Sequence, residues 1–138
     1  MSRILLAVSS PLAAQRVAQP VGDLARRMGA QVVVVHVSRP CTGQMRDQEQ
    51  ADGEASLNLL REKLESFGVG VQTLLLFADD VASAILKTAD ECDASLIVLG
   101  LTAKNIFARL LAGNVPVELI KGTRRPVLLL PPDWTGSI

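Results

Sequence analysis

Apolar residues gather into five short, nearly continuous runs, at residues 4–8, 32–37, 71–77, 96–99 and 127–130. Each run is rich in Val, Ile and Leu and shows little alternation with polar positions. Such runs suit strands covered on both faces, as in a parallel sheet, but periodicity alone does not separate them from buried helix. The intervals between them decide. From residue 12 to 28, Ala14, Val17, Val21, Leu24 and Met28 recur at steps of three and four, the spacing of one helical face. Ser10-Pro11 offers an N-cap with proline in the first turn, and Gly29 offers the stop. Pro20 removes a hydrogen bond from this helix and is expected to kink or split it. Leu57, Leu60 and Leu64 form a second stripe within residues 49–66, closed by Gly68. Val81, Ile85 and Ala89 form a third, with Asp79 or Asp80 as a cap whose charge suits a helix N-terminus. Val115, Leu119 and Ile120 mark a fourth, ending near Gly122. Residues 39–53 are polar, with Gly, Pro and Asp, and are expected to form a mobile loop.

Strand and helix therefore alternate. Right-handed crossovers turn that order into an α/β fold, a five-stranded parallel sheet with helices on both faces. No internal repeat is visible, and residues 1–138 read as one domain. Ligands of such sheets sit outside the carboxyl ends of the strands, where the strand order reverses. The places to search are Ser9-Ser10, Ser38-Arg39, Ala78-Asp79 and, above all, the segment after Leu99.

Composition narrows the partners. Of 138 residues, 14 are basic and 14 acidic, and 49% are hydrophobic, which excludes a disordered chain. A chain of this length buries roughly 68% of its unfolded surface, enough for an ordinary aliphatic core. With no basic excess, three Phe, one Trp and no Tyr, a nucleic-acid binder is disfavoured, because counterion release and base stacking both lack their residues. Cys41 and Cys92 lie outside metal-ligand or redox spacing, and a reducing cytoplasm is the expected location. The first residues lack the h-region of a signal peptide, and no apolar run reaches the length that inserts in a membrane.

The segment after the fourth run is the most informative. Gly100-Leu101-Thr102-Ala103 is followed by nine residues and then by Gly113-Asn114, with Val115-Pro116 opening the last helix. Free N–H groups and the helix dipole at such turns suit an anion such as phosphate, and Lys104 and Arg109 would add charge. Small residues are equally what any strand-to-helix turn needs, so on spacing alone both readings stand.

These residues, with the first strand, the His36-Val37 ending of the second, and Arg125-Pro126-Val127, resemble the universal stress protein (UspA-like) superfamily along essentially the whole chain. Nucleotide-binding members carry G-x2-G-x9-G-(S/T) between the fourth strand and the last helix. Here the pattern reads Gly100-x2-Ala103-x9-Gly113-Asn114. The resemblance implies a Rossmann-like, adenine nucleotide alpha hydrolase-like fold. It also implies a cofactor site for ATP or AMP, with phosphate on the backbone of Gly100, Ala103, Gly113, Asn114 and Val115 near Lys104, and the nucleoside near Ser9 and Val37. Three departures weaken it. Ala103 replaces the second glycine, and where φ is positive a methyl group costs roughly 1 kcal/mol or more. Asn114 replaces Ser/Thr, so an amide stands where a hydroxyl would. Ser9 replaces the Asp that contacts the nucleoside. The resemblance further implies a homodimer paired through the last strand, Val127, Leu128, Leu129 and Leu130.

Other candidates read as structure. His36 is expected to be a core or edge histidine with one satisfied nitrogen. Asp79-Asp80 is expected to cap a helix, since adjacent carboxylates do not converge on one metal or proton. Ser9 and Ser10 have no base beside them, Cys41 is a bystander, and Arg124-Arg125 reads as a solvated turn. Three functions are open: a non-enzymatic stress-response module with weakened or lost nucleotide binding, an ATP/AMP-binding switch of the same fold, and a nucleotide-using enzyme.

Overall fold

A computed structural model describes residues 2–40, 42–101, 115–132, 134 and 136–138. Among them the order is β1 (Arg3–Ala7), α1 (Pro11–Met28), β2 (Gln31–Ser38), α2 (Gln44–Ser66), β3 (Val71–Phe77), α3 (Val81–Glu91), β4 (Leu96–Gly100), α4 (Val115–Gly122) and β5 (Val127–Leu130). The strands form one parallel sheet in the order β3-β2-β1-β4-β5. Each expected run is thus a strand, and the α/β class stands.

Period-two alternation divides the strands between two apolar layers. Ile4, Leu6, Val32, Val34 and Val98 meet Ala14, Val17 and Val21 of α1 and Leu57, Leu60 and Leu64 of α2. Leu5, Val33, Val35, Ile97 and Leu99 meet Ala82, Ile85 and Ala89 of α3 and Leu119 of α4. Burial on both faces explains why the runs are continuous in sequence.

The caps follow local chemistry. Ser10 accepts from the Ala13 N–H, and Gly29 takes the left-handed conformation, φ 64°, that ends α1. Of the two candidate aspartates, Asp80 caps α3 by accepting from the Ser83 N–H.

One alternative closes and two expectations need correcting. Of a kink or a split at Pro20, the split does not occur: the helix runs unbroken from Pro11 to Met28 with Pro20 buried inside it. A proline ring forfeits one backbone bond, and apolar burial on both sides of it holds the helix together. Residues 44–53 are not a loop but the first turns of α2. Their apolar stripe is missing because most of them are exposed, while Gln48–Asp52 and Gln50–Glu54 side-chain bonds at i,i+4 support the helix instead. Arg125 is not a solvated turn residue. Its guanidinium donates to the Ala94 carbonyl at 2.6 Å and pairs with Asp90 and Asp93, tying the entry of β5 to the end of α3.

Candidate functional site

The chain leaves β1 for β2 and β3 on one side, then returns to β4 and β5 on the other, so the order reverses between β1 and β4. The carboxyl ends there bring together Ser9 after β1, Val37 near the end of β2, and Gly100-Leu101 at the end of β4. Ser9 is exposed; Val37, Gly100 and Leu101 are half-buried. Val115, also half-buried, opens α4. Ala103, Lys104, Arg109, Gly113 and Asn114 lie outside the described residues, as does Cys41.

Val37 is the position that geometry singles out. The β1–β2 pairing ends at Ala7↔Val35, and its last rung is the Val8 N–H donating to the Val35 carbonyl at 3.0 Å. In a parallel ladder alternate residues bond the same neighbour, so the main chain of Val37 faces β1 as that of Val35 does. The next rung would carry the Val37 N–H to the Val8 carbonyl. That carbonyl instead accepts from Nδ1 of His36 at 2.9 Å. The Val37 N–H and C=O are left facing the crevice without a backbone partner among the described residues. A donor and an acceptor side by side on one strand end match the hydrogen-bonding edge of a nucleobase.

His36 differs from its expectation: both ring nitrogens are engaged. It is 2% exposed, and Nε2 lies 3.2 Å from Glu49 Oε1 of α2. A carbonyl only accepts, so Nδ1 carries hydrogen. The Glu49 contact is a hydrogen bond when Nε2 carries one too, as an imidazolium–carboxylate pair. Gly53 makes room for the ring, since a Cβ there would lie 2.6 Å from His36 Cδ2. A sequence in which residues 39–53 read as loop concealed Glu49 and Gly53. The usable signal was a lone glycine among helix formers, one turn after a glutamate.

Gly100 has a packing duty as well. A Cβ on it would lie 2.7 Å from Val17 Cγ1 of α1. Beside it, on the α1 face, a shallow open recess is walled by Arg16, Val17, Leu101, Leu130 and Trp134, among others.

Hydrogen bonds from Ser83 hold the Asp80 carboxyl below its ordinary value, with a small contribution from Arg39. Burial pushes the Cys92 thiol up, the opposite of an activated nucleophile. Among the described residues no group of three or more His, Cys, Asp or Glu side chains is arranged to hold a metal ion. No helix among them is long and apolar enough to cross a membrane.

The profile described as "Universal stress protein family" matches residues 1–131. A universal stress protein of Methanocaldococcus jannaschii is 33% identical over 79 residues, which span 57% of this chain and 46% of that protein. A universal stress protein family structure from Burkholderia pseudomallei superposes with a TM-score of 0.76 at 26% identity, covering 94% of this chain and 96% of that one. The Archaeoglobus fulgidus universal stress protein solved in complex with dAMP superposes at 0.72 with 26% identity, covering 94% and 97%.

Proposed function

Since this chain belongs to the universal stress protein family, we propose that it is a non-enzymatic, cytoplasmic stress-response module of one domain, with a weakened adenine-nucleotide site. The carrying observation is the crevice at the strand-order reversal. There Val37 presents main-chain groups without a backbone partner among the described residues, while Ser9 brings a hydroxyl rather than a carboxylate. The nucleoside half of the site keeps its recognition edge. The phosphate half rests on Gly100, Ala103, Lys104, Gly113, Asn114 and Val115, where the two substituted motif positions, Ala103 and Asn114, cost affinity.

A specific observation favours an ATP/AMP-binding switch as the second reading: the relative of known structure holds dAMP on the same fold. The residues present fit the base better than the phosphates. Thermal denaturation with AMP or ATP and magnesium separates the readings. A ligand at one hundred times its Kd stabilises by about 2.7 kcal/mol. A shift that emerges only at millimolar nucleotide supports the weakened site. Saturation at micromolar concentration overturns it in favour of the switch.

The module acts as a homodimer paired through β5. The strand order leaves β5 at a sheet edge, and Val127, Leu128 and Leu129 are only half-buried there. An open apolar edge invites pairing with another strand, and Pro131-Pro132 limits how far such pairing extends. Sedimentation showing only monomer at high concentration overturns this.

A further inference from the structure

We propose that His36 is a positioning residue that keeps the Val37 main chain open for ligand, by filling the next rung of the sheet with its own ring. This rests on the nucleobase reading of the crevice and names the device behind it. The backbone geometry carries the argument. β1 and β2 are in register through Ala7↔Val35, and the Val8 N–H already reaches the Val35 carbonyl at 3.0 Å. One more rung would join the Val37 N–H to the Val8 carbonyl and consume the donor that the crevice presents. His36 prevents this from the preceding position, because its Nδ1 holds the Val8 carbonyl at 2.9 Å.

The ring is braced from behind. Glu49 Oε1 stands 3.2 Å from Nε2, and Gly53 leaves the space against which the ring lies, with Leu75 of β3 also adjoining that space. His36 is 2% exposed, so water does not compete for the Val8 carbonyl from the ring side. Buried polar groups in native structures find partners, and here one side chain satisfies a carbonyl that would otherwise pull the next strand residue onto it. The sequence order follows directly: the wedge residue is 36 and the freed residue is 37, adjacent on one strand, the ring of the first taking the carbonyl that the main chain of the second would meet.

The test uses amide hydrogen exchange in the full chain, followed by NMR, together with AMP titration. In the wild type the Val37 amide should exchange at least about tenfold faster than that of Val35, which sits in the ladder. His36→Leu removes the donor, so Val37 should gain about tenfold protection as the rung closes, with a parallel loss of AMP affinity. His36→Gln restores a side-chain N–H and should recover fast exchange, which a merely space-filling role would not do. Glu49→Gln removes the brace's charge and should leave Val37 exchange fast. A wild-type Val37 amide as protected as Val35 overturns the proposal, whether or not the His36→Leu variant folds. Unchanged exchange in a folded His36→Leu variant overturns it as well. If the exchange pattern holds while AMP fails to bind even the wild type, the wedge stands and the nucleobase reading falls.

Discussion

Val17 of α1 occupies the space that a side chain on Gly100 would need, for a Cβ on Gly100 would lie 2.7 Å from Val17 Cγ1. The first glycine of the nucleotide motif is therefore required by helix–sheet packing, whatever it does for phosphate. Gly100→Ala should destabilise the fold by about 1–3 kcal/mol, the usual cost of overpacking. Combining it with Val17→Ala should cost less than the sum of the two, with a coupling of about 0.5–3 kcal/mol. Urea denaturation of the four proteins checks this, and strict additivity would show that the contact is not what selects glycine.

Gly53 presents the same logic with a competing sign. Replacing glycine by alanine inside a helix normally gains about 1 kcal/mol. Here the new Cβ would meet His36 Cδ2 at 2.6 Å and Leu75 Cδ1 at 3.0 Å, both in packed surroundings. The clash should win, leaving Gly53→Ala less stable by about 1–2 kcal/mol. Exposed glycine-to-alanine gains elsewhere do not bear on this position. A measured increase in stability would mean that the His36 ring moves aside at no cost.

The strands and helix stripes were legible because two-sided burial writes continuous apolar runs, and one-sided burial writes steps of three and four. Ser10, Gly29 and Asp80 were legible because caps depend on neighbours within four residues. What stayed hidden depends on distant partners. The first turns of α2 carry almost no apolar stripe, so residues 44–53 passed for loop. Arg125 finds its acceptors more than thirty residues away, at Asp90, Asp93 and Ala94. The candidate site was half legible. Val37 entered through family resemblance, whereas the His36 contact to the Val8 carbonyl, just past the end of β1, joins residues 28 apart and leaves no local trace.

Ser38 follows the wedge on the same face of β2 and is fully buried, yet its Oγ has no hydrogen-bond partner among the described residues. A buried hydroxyl without a partner carries a desolvation cost of about 1–3 kcal/mol. Ser38→Ala should therefore be neutral or stabilising by up to about 1 kcal/mol in the ligand-free protein. Calorimetry with and without AMP discriminates further: a loss of stability on substitution would reveal a partner gained in solution.

Asp80 supplies the acid limb of stability. Its Oδ1 accepts from the Ser83 N–H at 3.1 Å and its Oδ2 from the Ser83 hydroxyl at 2.8 Å. Both bonds favour the charged form and hold the carboxyl below its ordinary value of 3.8. The unfolded chain, with the ordinary value, then binds more protons than the folded one as pH drops below that range. The stability that Asp80 contributes is present above the ordinary value and is lost as pH falls through the lower folded value. Asp80→Asn keeps an acceptor at the N-cap but cannot titrate. The wild type should thus exceed Asp80→Asn by more at about pH 6 than at about pH 2, with the two unfolding midpoints converging in acid. A gap that stays constant across that range would show that capping geometry, and not charge at the start of α3, is what Asp80 provides.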